Sequence, residues 1–233
     1  GPYVAQIVMS GALINLCSQP AQRARWLAPM ARGDWRSAPA VDGDPAHCAP
    51  AHIELRATRV GDMWRLDGRK TQVIGAEDAH AFLVLAGIGA GDAAMGPLGL
   101  FVVDAGTPGL TIDLGSRVDG QSTAQLTLSE VQVPLDRLLA DPGPVTAHLE
   151  AAFDAANAAL VADAAGAMDS LIDLCCEHLR TRVQFGAPLA KIQSLQHKIA
   201  DMVIAAEQVE SMAQAAAMAV DAGEPGQRRR IVS

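Results

Sequence analysis

The last third of the chain is almost free of the residues that break helices. Glycine and proline nearly vanish there until close to the end, with the exceptions of Gly166 and of the break formed by Gly186 and Pro188. Because these two residue types disfavour a helix interior, the segment predicts two long helices, over 146–184 and 190–222, joined at that break.

Both predicted helices carry apolar faces. In the second helix, apolar residues recur at the three- and four-residue steps that are typical of one buried helical face. These residues are Ile192, Leu195, Ile199, Met202, Ala206 and Val209. The first helix is apolar on several sides, through Leu160, Val161, Ala164, Ala165, Met168, Leu171, Ile172 and Leu174. A helix that is apolar nearly all round is usually buried in a bundle or at a subunit interface, which is what we expect here.

The middle of the chain, from about Trp35 to Leu139, has the pattern of strands and turns. Stretches such as MWRLDGRKTQVIG and AFLVLAG alternate or run apolar, and Asp67-Gly68 and Pro108-Gly109 are predicted turns. The spacing of these stretches predicts a small antiparallel β-barrel or sandwich.

Two short helices are predicted before the strands, over 3–32. Ser18 is the expected N-cap of the second, and Pro20 lies in its first turn. The sequence therefore predicts an α+β protein in three parts. These are a helical segment over 1–33, a β-domain over 34–142 and a helical domain over 143–233.

Charge and hydropathy exclude two classes of partner. The chain has 18 Lys and Arg residues against 26 Asp and Glu residues, a formal charge of −8, so nucleic acid is not an expected partner. The basic run Arg228–Arg230 is interpreted as a solvated helix end. Acidic residues, among them Asp163 and Asp169, interrupt the most apolar window, so no membrane span is predicted. The expected location is the cytoplasm, since no basic leader or cleavage pattern is seen.

The cysteines and glycine motifs do not point to a site of their own. Cys175 and Cys176 are adjacent and, with His178, would make a poor metal cluster, so we interpret the four cysteines as small apolar core residues in a reducing compartment. The run Gly89-x-Gly91-x-x-Ala94 superficially fits a dinucleotide fingerprint. A proline rather than a helix follows it, so we predict a hairpin loop.

One long run carries a resemblance to a known family. RTRVQFGAPLAKIQSLQHKIADM, over 180–202, resembles the signature of the acyl-CoA dehydrogenases, in which Arg-x-x-Phe-Gly, a proline and a Gln-rich helix start precede Ala-Asp/Glu-Met. QRARWLAPMARGDW, WRLDGRKTQVIGAEDAHAFLVLA, GLFVVDAGTPGLT and VQVPLDRLL resemble further segments of the same family. The resemblance covers essentially the whole chain. It implies that the chain is partial at both ends, because family members have further helices on either side.

The resemblance implies FAD as cofactor and an acyl-CoA thioester as substrate. Arg182, Gln184, Phe185 and Gln193 match positions that contact an FAD bound mainly by a partner subunit. An arginine fork suits a pyrophosphate, an aromatic face suits an adenine, and an amide can read the adenine edge. Asp154 matches the aspartate of the family's Asp-x-x-Arg, near the CoA end of the substrate.

Other family positions are not matched. Asp42 and Gly43 stand where the family has Thr and Glu, and Gln72, Val73 and Ile74 stand where it has Trp or Phe, Ile, and Thr or Ser. In the family these two elements hold the flavin ring and the substrate. The resemblance therefore implies that both ring-holding elements are degraded in this chain.

The catalytic base of the family is not found either. The early position of the base falls on Ala156, the neighbouring arginine becomes Asn157, and the late position lies beyond Ser233. We assign no catalytic residue and no metal ligand in this chain.

These observations lead to one hypothesis and two alternatives. The leading hypothesis is a base-poor subunit of a heterotetrameric, FAD-dependent acyl-CoA dehydrogenase of fatty acid or steroid metabolism, which completes the FAD site of a homologous catalytic chain. The first alternative is a homotetramer whose glutamate lies past residue 233. The second is a flavin-free scaffold or regulatory paralogue.

Overall fold

The computed structural model describes residues 2–42, 54–89, 97–139 and 145–223. The chain divides into two compact units, Gly1–Phe153 and Asp154–Ser233. The boundary lies within one continuous helix. The three-part division expected from the sequence stays a prediction.

The first unit begins with helical segments, as predicted. A π-helical segment, Val4–Met9, continues into α1 (Ser10–Cys17), and α2 spans Pro20–Ala31. The expected cap of α2 is wrong by one residue, since Gln19 is the N-cap and exchanges hydrogen bonds with Gln22 in a capping box. Pro20 is the first helical residue, where its missing N–H costs no hydrogen bond.

Two buried hydrogen bonds attach these helices to the strands that follow. Gln6 Nε2 donates to the Gly75 carbonyl oxygen over 2.6 Å, and Ser10 Oγ donates to the Ser37 carbonyl oxygen over 3.0 Å. Both side chains are buried, so each bond satisfies a polar group that water cannot reach.

Among the described residues of this unit, seven strands form one sheet. They are β1 (Ser37–Ala40), β2 (Arg56–Val60), β3 (Met63–Ile74), β4 (Ala81–Ile88), β5 (Leu98–Asp104), β6 (Leu110–Ser116) and β7 (Ser122–Pro134). β4 and β5 are buried along most of their length, which explains why their sequences run apolar rather than alternate.

The sheet is mixed, which corrects the predicted antiparallel barrel or sandwich. Both β1 and β2 run parallel to β4 and occupy successive parts of the same edge of that strand, while β5 pairs with its other edge in antiparallel register. The remaining pairs, β2–β3, β3–β7 and β6–β7, are antiparallel. Alternation of side chains within a strand does not report the direction of its neighbour, so the sequence could not show the parallel pairs.

The predicted turn at Asp67-Gly68 is wrong, because both residues lie inside β3. The register between β3 and β7 shifts there, and the Asp67 carboxylate accepts the Glu130 backbone N–H over 2.7 Å. Gly68 has φ +137° and lies against Leu55. The dipeptide therefore serves a β-bulge rather than a chain reversal. The chain reversal between β2 and β3 is at Gly61, which has φ +60°. The other predicted turn, at Pro108-Gly109, is confirmed.

A second bulge lies near the end of β3. Lys70 pairs with Leu126 and Val73 with Ala124, so two residues of β3 oppose one residue of β7. Gln72, within this bulge, has φ +55°. Bulges with strained residues are frequent near functional sites.

The apolar side chains of the strands form the core of this unit. Its largest members have less than 2% of their surface exposed and come from β3, β4, β5, β7 and the residue before β2. They are Leu55, Leu66, Val73, Phe82, Phe101 and Leu126. Trp64 packs edge-on against Phe101, with 5.5 Å between the ring centroids.

The second unit contains the larger part of one long helix, a second long helix and the turn between them. α3 spans Val145–Thr181 and α4 spans Gln193–Ala222, so each is slightly shorter at the turn than predicted. The residues between them form a short hairpin, β8 (Val183–Gln184) and β9 (Ala187–Pro188), followed by a 3₁₀ turn, Leu189–Lys191. The predicted apolar face of α4 is confirmed, since its six residues are all buried or half-buried.

We predict that Gly68→Ala destabilises the protein by about 2–4 kcal/mol, because a Cβ there would lie 2.7 Å from Leu55 Cα. Gly61→Ala is the matched control, since its φ is also positive but nothing lies within 4 Å of a Cβ; we expect a cost of about 1 kcal/mol. Urea unfolding followed by tryptophan fluorescence measures both. Equal costs would show that crowding at Leu55 is not the constraint.

Candidate functional site

The hairpin between α3 and α4 reverses the chain with an unusual pair of residues. Val183 pairs with Pro188 and Gln184 with Ala187, which leaves Phe185 and Gly186 at the tip. Their φ angles are +53° and +77°. Positive φ at both central residues is the signature of a type I′ turn, in which Asn-Gly is strongly preferred.

Phe185 is strained and exposed at the same time. A bulky residue in the left-handed region costs about 1–2 kcal/mol, and burial does not offset this cost, since 95% of the side chain is exposed. At an exposed turn position with this backbone conformation, asparagine would stabilise the fold better than phenylalanine does. Packing within the described chain therefore does not explain the conformation of Phe185.

Two other predicted cofactor residues, Arg182 and Gln184, lie at the same hairpin. Arg182 directly follows α3, its backbone N–H donates to the His178 carbonyl oxygen, and its own carbonyl oxygen accepts the Leu189 N–H, both over 2.9 Å. Gln184 is the second residue of β8, and both side chains are exposed. Arg182 forms no ion pair with any residue that the structure describes. The backbone of Arg182 is thus held by two hydrogen bonds, while its guanidinium group is exposed.

The two glutamines after the turn have different roles. Gln193 is the first residue of α4 and is exposed, whereas Gln196 Nε2 donates to the Ala190 carbonyl oxygen over 2.8 Å and so stabilises the turn. The structure therefore brings Arg182, Gln184 and Phe185 together on one hairpin, with Gln193 at the start of the next helix.

The predicted substrate residue lies elsewhere on α3. Asp154 is half-buried, at the first position of the second unit. Ala156, at the position expected for a base, is only 6% exposed, and Asn157 is exposed. Neither side chain can act as a general base.

Lys70 was not singled out from the sequence, although it lies between the two degraded elements. It is fully buried, and its Nζ donates to the Val41 carbonyl oxygen, directly before Asp42, over 3.2 Å. Burial lowers the pKa of Lys70 to about 8, although the charge of Asp42 acts in the opposite direction. The burial of Lys70 could have been predicted from its spacing in β3. It lies four residues after the buried Leu66, and residues an even number apart in a strand share a face.

The other positions that do not match the family differ in how far they are buried. Gln72 is exposed in the second bulge, Val73 is buried in the core, and Ile74 is half-buried. Ile74 and the buried amide of Gln6 line a cavity of about 260 Å³, which Glu77 and Asp78 also border. Gly43 lies outside the described residues.

The remaining candidates form no site in the described chain. Cys17 is buried in α1, and burial raises the pKa of its thiol to about 12; Cys175 and Cys176 are half-buried. The described residues contain no cluster of His, Cys, Asp or Glu suited to a metal ion, and none of their helices is long and apolar enough to cross a membrane. Most of the run Gly89–Ala94 and all of Arg228–Arg230 lie outside the described residues.

Comparisons with known proteins agree with this arrangement. The family described as acyl-CoA dehydrogenase, C-terminal domain, matches residues 147–232. The human mitochondrial short-chain specific acyl-CoA dehydrogenase is 32% identical over 213 residues, which cover 88% of this chain and 50% of that protein. The fold is that of a glutaryl-CoA dehydrogenase from Mycobacterium smegmatis in complex with FADH2 (TM-score 0.84, 24% identity, 97% of this chain and 58% of the other). It is equally that of butyryl-CoA dehydrogenase from Megasphaera elsdenii (TM-score 0.84, 24% identity, 96% and 58%).

These matches define a helical and β-sheet protein of the acyl-CoA dehydrogenase fold. The chain belongs to the acyl-CoA dehydrogenase family. It spans about half the length of the curated relatives that it matches, such as the 50% covered in the human protein.

We predict that Phe185→Asn leaves the stability of the chain unchanged or raises it by up to about 1 kcal/mol, because Asn-Gly is favoured in a type I′ turn. Phe82→Ala, at a fully buried aromatic, is the contrasting control and should cost about 3–5 kcal/mol. Thermal or urea unfolding measures both variants. A clear loss of stability in Phe185→Asn would mean that the ring packs within the fold.

Proposed function

We propose that this chain is a subunit of an FAD-dependent acyl-CoA dehydrogenase and that it completes the FAD site of a homologous partner chain. The observation that carries the proposal is the exposed, strained Phe185 beside the open guanidinium of Arg182. Strain at an exposed residue persists where it serves a ligand or a partner. The reaction is the α,β-dehydrogenation of an acyl-CoA thioester, and the complex is located in the cytoplasm.

The hairpin fits the dinucleotide end of FAD. The Arg182 guanidinium supplies a planar fork for the pyrophosphate, and the face of Phe185 is available for stacking against the adenine. Gln184 and Gln193 carry exposed amides that can hydrogen-bond polar atoms of the cofactor. All four side chains are therefore of the right chemistry and are open to a ligand.

The end of β1 and the end of β3 do not fit the flavin ring. Gln72 offers no aromatic face, Ile74 offers no hydroxyl donor, and Asp42 places a carboxylate where the resemblance expects a threonine. Since these are the residues that would hold the ring in this chain, we infer that the ring is held by the partner. FAD, when bound, supplies the acceptor for the substrate's β-hydrogen.

We assign the removal of the substrate's α-proton to the partner chain as well. Ala156 and Asn157 replace the early base and its arginine, so the glutamate that removes the α-proton comes from the partner chain. Asp154 is the residue of this chain that we assign to the CoA end of the substrate. Its role is binding rather than proton transfer, because it matches a family position next to the thioester's CoA end.

We predict that Arg182→Ala weakens FAD retention in the assembled flavoprotein by about 2–4 kcal/mol, because it removes a charge-assisted contact to the pyrophosphate. Arg182→Lys should recover only part of this loss, since an ammonium cannot reproduce the fork. The measurement is the dissociation constant of FAD for the deflavinated complex.

Arg180→Ala is the matched control, because Arg180 is an exposed arginine two residues before Arg182, in the last turn of α3. It should leave FAD affinity unchanged. If both Arg182 variants retained FAD as well as the parent does, this arginine would only end the helix, and the proposal would fail.

A further inference from the structure

Lys70 carries its charge inside the core of the first unit. Its side chain is fully buried, whereas the other lysines of the chain, Lys191 and Lys198, are exposed. Its ladder partner on β7, Leu126, is an apolar core residue. Removing a charge from water costs free energy, and a well-packed apolar residue of similar size often stabilises a core at least as well. The stability of the core therefore does not explain why a lysine stands here.

The amine of Lys70 lies at the point where β1 leaves the sheet. The pairing of β1 with β4 ends at Ala40, and the same edge of β4 is next occupied by β2, beginning at Arg56. Val41 follows the last pair and is buried, and its carbonyl oxygen accepts a hydrogen bond from Lys70 Nζ over 3.2 Å. A buried carbonyl beyond the end of a ladder needs a partner, and Lys70 supplies it.

The charge of Asp42 adds a second part to this contact. Among the described residues, Asp42 is the charged group that acts on Lys70, and its carboxylate favours the ammonium form. Burial acts in the opposite direction and is the larger effect, so the pKa of Lys70 is lowered to about 8. Lys70 is therefore charged at neutral pH, at a cost in stability, and loses its charge in mildly alkaline solution.

We propose that Lys70 is a positioning residue, whose ammonium group fixes the end of β1 against β3 through the Val41 carbonyl oxygen and the Asp42 carboxylate. The contact goes beyond the proposed function, because it needs neither flavin nor a second chain. All of its groups belong to the first unit, and a fully buried side chain leaves no surface for a further segment to cover. The contact depends on charge, since a neutral amine still donates to Val41 but no longer attracts Asp42.

The charge is tested by NMR on the chain labelled with 13C at the lysine Cε atoms. Lys70→Met identifies the Lys70 signal, and Lys191 and Lys198 supply reference signals on the surface. The Lys70 signal should titrate with a midpoint near pH 8, instead of the ordinary lysine value of 10.5. Asp42→Asn should lower this midpoint further, because the carboxylate stabilises the ammonium form. A Lys70 midpoint that Asp42→Asn leaves unchanged would show that the two charges are not coupled, and the proposal would fail.

The position of β1 is tested by hydrogen exchange and mass spectrometry at neutral pH. Lys70→Met keeps an unbranched side chain but removes the donor and the charge. The peptide that contains residues 37–42 should exchange at least tenfold faster in this variant, while peptides of β6 should be unaffected. Lys198→Met is the matched control, at an exposed lysine, and should change neither. Equal protection of residues 37–42 in the parent and in Lys70→Met would contradict a positioning role.

The dependence of stability on pH separates this role from that of a residue that only fills the core. Because the pKa of Lys70 is lower in the folded chain than the ordinary value of 10.5, the native state releases this proton first, and stability rises as the pH goes from 8 to 10.5. Over that range the unfolding equilibrium constant of the parent should fall at least tenfold relative to Lys70→Met, measured by urea unfolding. The absence of this difference would overturn the proposal.

Asp42→Asn keeps the proposal testable if Lys70→Met does not fold, since Asp42 is exposed. It should speed the exchange of the peptide with residues 37–42 several-fold. Unchanged exchange in Asp42→Asn would exclude a role of the charge in holding β1. None of these measurements uses flavin, so their failure is separate from a failure of the Arg182 experiment.

Discussion

The antiparallel pairing of β3 with β7 is the interaction on which the first unit depends. These are the longest strands of the described sheet, and β2 and β6 pair with their outer edges. Two bulges interrupt the pairing, one held by Asp67 and one containing Gln72. Because β3 also places Lys70 against the end of β1, the same strand sets the position of both elements that the resemblance associates with the flavin ring.

The second unit exposes several large apolar side chains. Its turn holds an aromatic residue in a conformation that favours asparagine, and its first helix carries leucines on an outward face. Neither feature stabilises the isolated chain. The exposed hairpin is where the proposed contact with the cofactor lies.

Much of this arrangement could be predicted from the sequence. The two long helices followed from the scarcity of glycine and proline, and the apolar face of α4 followed from the spacing of its residues. The resemblance singled out Arg182, Gln184 and Phe185, which lie at one hairpin, and Gln193, which begins α4. The parallel pairs of β4 could not be predicted, because strand direction depends on contacts between residues distant in the chain. Asp67-Gly68 was assigned to a turn because the same two residue types serve turns and bulges. The left-handed backbone of Phe185 had no sequence signal, since phenylalanine rarely adopts it.

We propose that this chain contributes to an FAD site whose flavin ring is held by another chain. The most direct measurement is the FAD content of the purified protein, by absorbance and after denaturing release, with and without a co-expressed homologous chain from the same genome. We expect little FAD in the chain alone and a yellow, FAD-containing complex after co-expression. A yellow homo-oligomer of this chain alone, saturated with FAD, would contradict it.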